Sequence, residues 1–256
     1  MSTLTDRFDA VLARLDQAVI RSGRDRNAVQ LVAISKTHGA DAVARLAAHW
    51  SAGGRPVFGE SYMQEAREKM PEVADILAER APGVRAEWHF VGHLQSKKAK
   101  DVAGGFSLIH SVDSLKLASA LQKAWRSRVA GAPIGRNDPA PEPQGVLIQV
   151  NVGQEAQKSG VDPGELEALV NGVKAMPELD LQGLMCLPPL AEIGEHSRPY
   201  FEMLRILRDA MELRCGVKLP HLSMGMSDDF ETAVEEGATL VRIGTDIFGV
   251  RHYDEP

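Results

Sequence analysis

Eight short apolar runs, most of them followed by a stretch with helical spacing, predict an α/β chain closed as a single (β/α)8 TIM barrel with an extra N-terminal helix. Two further observations support that class. The 256 residues match the roughly 250 typical of one such barrel, and 44% hydrophobic with 25% charged residues is the composition of a globular chain with a sizeable core. A doubly wound open sheet is the structural alternative, because periodicity alone does not show closure.

Taken in order, Leu4, Phe8, Val11, Leu12, Leu15 and Val19 recur at helical spacing and predict the opening helix, which ends near Gly23. The apolar runs place strands at 30–36, 56–61, 87–92, 106–112, 145–152, 179–187, 221–227 and 239–249. Amphipathic patterns place helices at 41–50, 62–80, 114–128, 163–176, 197–215 and 229–237, while the segment after the third strand is weakly patterned. The stretch 131–145 holds Pro133, Pro139, Pro141 and Pro143 and predicts a flexible surface loop. No domain-sized linker interrupts the chain, so residues 1–256 are expected to form one domain.

A formal net charge of −6, with 29 basic residues spread along the chain, argues against nucleic acid or an anionic membrane as partner and for a small molecule. Cys186 and Cys215 are the only cysteines, too few for a disulfide framework, and are expected to be unpaired in a reducing compartment. The N-terminus lacks the basic start and apolar core of a signal peptide, and no apolar run reaches the length of a membrane span. A cytoplasmic location is the expectation.

In a barrel of this kind, function gathers at the C-terminal ends of the strands. Ser35, Lys36 and Thr37 end the first, Glu60 and Ser61 the second, His93 follows the third, and Asn151 lies near the end of the fifth. Ser227 ends the seventh, and Gly244 with Thr245 lies in the eighth. Lys36 follows four apolar residues, and burial of its ammonium would favour the neutral amine that attacks carbonyls. A lysine that pairs with a carboxylate would look the same in sequence.

The stretch HLSMGMSDDF runs from a strand into a helix and offers backbone N–H groups and the Ser223 and Ser227 hydroxyls to an anion. Ser227 with Asp228 and Asp229 reads equally well as a helix cap. In LVRIGTDIFG, alternation sets Leu240, Arg242 and Gly244 on one face and Val241, Ile243 and Thr245 on the other. A buried Arg242 would need either a structural ion-pair partner or a ligand. His89 and His93 lie on a strand running into a loop, about 13 Å apart if extended, too far for one zinc. No P-loop, nucleophile elbow or dinucleotide fingerprint is present.

The segments LVAISKTHG, VFGESYMQEA, WHFVGHLQSKK, KSGV, GLMCLPP, HLSMGMSDDF and VRIGTDIFGVR stand in order from about Leu31 to Arg251. Together they closely resemble the pyridoxal phosphate homeostasis protein family, which is similar to the N-terminal barrel of alanine racemase. The resemblance implies pyridoxal 5′-phosphate as cofactor, bound as a Schiff base on Lys36 of the SKT motif. It further implies that Ser223, Ser227, Gly244 and Thr245 hold the phosphate and that Arg242 faces the pyridine nitrogen. Asn151 and Met224 complete the expected set. FGES and LQSKK stand where the family commonly has FGEN and LQSNK, which bears on Ser61 and Lys97; His38-Gly39 after SKT and the insertion at 131–145 also differ from common forms.

An arginine at the ring nitrogen disfavours its protonation and weakens the ring as an electron sink. Alanine racemase adds a tyrosine from a second domain; with none expected after FGVR, and only Tyr62, Tyr200 and Tyr253 at hand, a second acid–base group has no obvious source. The expectation is therefore a monomeric carrier or buffer of the cofactor in vitamin B6 and amino-acid homeostasis, with pyridoxal phosphate-dependent apoenzymes as recipients. A slow amino-acid racemase is the alternative. No metal and no catalytic residue are assigned.

Overall fold

A computed structural model describes residues 2–50, 54–130, 142–155, 157–189 and 191–249. The first element is α1 (Leu4–Arg21), started by a capping box in which Thr3 accepts from the Asp6 N–H and Asp6 accepts from the Thr3 N–H. Its stripe of Leu4, Phe8, Val11, Leu15, Ala18 and Val19 is buried.

Strand–helix units follow: β1 (Gln30–Ile34), α2 (Ala40–Trp50), β2 (Val57–Glu60), α3 (Met63–Arg80), β3 (Glu87–Phe90), α4 (Ala99–Val102), β4 (Leu108–Val112) and α5 (Leu115–Ala130). The second half repeats the pattern with β5 (Gln144–Val150), α6 (Leu166–Lys174), β6 (Leu179–Cys186), α7 (Arg198–Cys215), β7 (His221–Ser223), α8 (Phe230–Glu235), β8 (Leu240–Ile243) and α9 (Thr245–Phe248). Each strand is parallel to the next, and β8 closes on β1 with Gln30 opposite Leu240 and Ala33 opposite Ile243. The closed barrel, and not the open sheet, is therefore the architecture.

The core has an inner and an outer layer. Every residue of β4 and β5 is buried, as expected of parallel strands covered on both faces. The register of β5 against β6 shifts between Val146 and Leu147, and β6 resumes at Gly183. A Cβ on Gly183 would lie 1.9 Å from the His221 carbonyl oxygen, so only glycine lets β7 approach there.

All eight strands are shorter than the sequence suggests, and at three of them the difference moves residues of the expected site off the ladder. β1 stops at Ile34, so Lys36 stands in the turn beyond it rather than on the strand. β7 stops at Ser223 because the chain turns at Gly225 (φ +92), where a Cβ would lie 2.6 Å from that of Ala233. β8 stops at Ile243, and Thr245–Phe248 is a short helix, so two-residue alternation does not extend to Thr245. Of the expected loop at 131–145, residues 131–141 lie outside the described residues. Gln144 and Gly145 open β5, with the Gln144 amide donating to the Phe106 carbonyl and accepting from the Gly104 N–H. Among the described residues no helix is long and apolar enough to cross a membrane.

Candidate functional site

The loops at the C-terminal ends of the strands enclose a cavity of about 560 Å³. Lys36, Ser227, Arg242, Gly244 and Thr245 all line it. They arrive from the ends of β1, β7 and β8, which closure makes neighbours although Lys36 and Arg242 are 206 positions apart in sequence. Ser61, His93 and Gln149 supply further polar lining, and Ile34, Val91 and Leu187 apolar lining.

Lys36 is half-buried between two fixed peptide groups. The carbonyl of Ser35 accepts a hydrogen bond from Lys69 Nζ at 2.8 Å. The N–H of Thr37, a residue at φ +68, donates to Glu65 Oε1 at 2.6 Å. Lys69 Nζ also donates to Glu65 and, at 2.8 Å, to the fully buried Glu60, whose Oε1 accepts from the Ser35 hydroxyl as well. Burial pushes the Glu60 carboxyl up despite Lys69 beside it. Its second oxygen has no hydrogen-bond partner.

Arg242 is almost fully buried at the cavity floor. Its guanidinium donates to Ser223 Oγ at 2.6 Å and to the Cys186 carbonyl at 2.9 Å. Both acceptors are neutral, and among the described residues no carboxylate lies within ion-pair distance. The structural ion pair that the sequence left open is therefore not found. Desolvation lowers the Arg242 pKa, although a guanidinium stays protonated under ordinary conditions.

Below Arg242 a polar chain runs through the barrel interior. Ser223 Oγ is 2.9 Å from His110 Nδ1, His110 Nε2 is 3.0 Å from His89 Nδ1, and His89 Nε2 is 3.4 Å from Glu87 Oε1. Arginine can only donate and an ionised glutamate can only accept. One orientation then satisfies every member, with each hydroxyl or Nε2–H pointing away from Arg242 and toward Glu87. Desolvation holds His110 well below the usual histidine value, which keeps it neutral. The bond from His89 holds Glu87 down to about 2, which keeps it charged.

The remaining expected residues fall elsewhere. Ser223 and Met224 are fully buried beneath the cavity and do not line it; Ser223 serves Arg242 and His110. Asn151 also lies outside the lining, bonded through its side chain to the main chain of Glu155. Ser227 does not cap α8. That helix's N-cap position is taken by Asp229, whose carboxylate accepts from the Met226 N–H and the Ser197 hydroxyl, while Ser227 Oγ accepts from the Asp246 N–H at 3.4 Å. Both cysteines are free and buried.

Sequence reasoning passed over Gln149, Ser159, Lys69 and the His89–His110 pair. Ser159 pairs its hydroxyl with His93 Nδ1 at 2.9 Å. A signal for Lys69 existed, because it occupies the buried stripe of Ala66, Val73 and Leu77 on α3, where a lysine requires a partner.

Residues 8–252 match the family model for the alanine racemase N-terminal domain. A pyridoxal phosphate homeostasis protein of Aquifex aeolicus is 41% identical over 97% of this chain and 98% of that one. The structure of PipY from Synechococcus elongatus with PLP bound superposes with a TM-score of 0.73 at 32% identity, covering 93% of this chain and 100% of PipY. An alanine racemase of Clostridium difficile shares the barrel alone, with a TM-score of 0.64 at 15% identity over 95% of this chain and 57% of the racemase.

Proposed function

The chain belongs to the pyridoxal phosphate homeostasis protein family, and from that premise we propose that it binds pyridoxal 5′-phosphate and holds it reversibly as a Schiff base on Lys36. The observation that carries this reading is the single cavity onto which Lys36, Ser227, Arg242, Gly244 and Thr245 open. Its donor set suits the cofactor group by group. A lysine amine meets an aldehyde, hydroxyls and main-chain N–H groups beside a glycine suit a phosphate, and a buried guanidinium without a carboxylate faces a ring nitrogen. Gly244 also packs close to β1, since a Cβ there would meet Ile34 at 3.3 Å.

When bound, pyridoxal phosphate supplies an electrophilic carbon and an electron-accepting ring. The residues around it favour retention over turnover. Arg242, a cation whose guanidinium donates to two neutral acceptors, disfavours protonation of the ring nitrogen, and His110 is kept neutral. The finer reading is a cytoplasmic, single-domain monomer that buffers the cofactor for dependent apoenzymes and so supports amino-acid homeostasis. Lys36→Ala should abolish the visible Schiff-base absorbance of protein mixed with pyridoxal phosphate. A Lys36→Ala protein that keeps the absorbance would refute the assignment.

A further inference from the structure

The cluster of Lys69, Glu60 and Glu65 is costly for a purely structural role. Removing an ammonium and a carboxylate from water takes several kcal/mol per ion, and an apolar side chain at that place often serves stability as well or better. Position 69 lies in the stripe of Ala66, Val73 and Leu77, where leucine or methionine would pack. The cluster also leaves one Glu60 oxygen without a partner.

Its other contacts converge on one point in the chain. The three donors of the Lys69 ammonium go to Glu60, Glu65 and the Ser35 carbonyl, which belongs to the peptide group before the Lys36 Cα. Glu65 takes the Thr37 N–H, which belongs to the peptide group after it. Glu60 takes the Ser35 hydroxyl, and the Ser35 N–H donates to the Gly59 carbonyl. Both peptide planes that set the Lys36 Cα–Cβ direction are thus held from β2 and α3. Thr37 is kept at φ +68, a conformation β-branched residues rarely adopt and one that persists only where surroundings enforce it.

We propose that Lys69, with Glu60 and Glu65, is a positioning residue that clamps the main chain on both sides of Lys36 and so aims its amine into the cavity. This rests on the reading of Lys36 given above. Lys69 and the two glutamates touch neither the cavity nor a ligand; they act through the backbone.

Lys69→Met and Glu65→Ala test this. In the cofactor-free protein, hydrogen–deuterium exchange of the peptide spanning 31–40 should quicken by roughly tenfold or more in both. On mixing with pyridoxal phosphate, the Schiff-base absorbance should develop about ten to a hundred times more slowly, as expected for a reacting group misplaced by a fraction of an ångström to an ångström. Folded variants with exchange and imine rates within about twofold of the parent would overturn the clamp, as would faster exchange with an unchanged imine rate. Should Lys69→Met fail to fold, Glu65→Ala decides alone, because Glu65 is a quarter exposed and its loss leaves the Lys69–Glu60 pair intact. A parent protein that forms no imine sinks the Lys36 assignment instead, and the exchange comparison still judges the clamp.

Discussion

Lys36 and Arg242 line the same cavity, and the molecule secures them in opposite ways. Around Lys36, ionised side chains grip the main chain: Lys69 and Glu65 bind the carbonyl before it and the N–H after it. Around Arg242, a hydrogen-bonded chain grips the side chain itself, through Ser223, His110 and His89 to the distant Glu87. For the role proposed for Lys36, forming and breaking a covalent bond, aim through the backbone is the better arrangement. A residue that only presents charge is better fixed at its head group, and uncharged partners leave that charge undiminished.

The largest expected effect lies on the Arg242 side. Ser223 is the acceptor for the guanidinium and the partner of His110, so Ser223→Ala strands two buried polar groups at once. Denaturant unfolding should register a loss of about 1 to 3 kcal/mol. A loss below a few tenths of a kcal/mol would mean that the chain does not hold Arg242 as described.

The two regions should also respond to pH with opposite sign. The folded pKa of His110 is depressed well below 6.5, so below that pH the unfolded chain binds a proton the folded one does not. Stability is therefore lost as pH falls from 6.5 toward the folded pKa, by up to about 1.4 kcal/mol per pH unit. The folded pKa of Glu60 is raised above 4.5, so its contribution is present below 4.5 and is lost as pH rises through the folded value. His110→Gln should flatten the acid limb of the stability profile, and Glu60→Gln should steepen it. Two variants that change the limb in the same direction would erase the contrast.

How much of this was legible in sequence follows the same division. The eight strands and the sequence of helices are local in origin, written in apolar period and turn residues, and all are found. The strand ends were overrun at Lys36, at 224–227 and at Thr245 because apolar and small residues continue past the last ladder bond while the backbone turns. The partnerships that hold the site are non-local. Lys69 meets Ser35 across 34 positions and His110 meets Ser223 across 113, and no spacing rule joins them. Ser223 read as a phosphate ligand because its motif stands next to Ser227; two residues and one glycine turn separate a barrel-interior side chain from one that lines the cavity.

The most direct test of the account is chemical. The protein is mixed with pyridoxal phosphate, reduced with borohydride and digested, and the modified peptide is sequenced. A pyridoxyl group on Lys36 is the result predicted; a pyridoxyl group on another lysine, or none at all, would contradict the assignment on which the cavity's function rests.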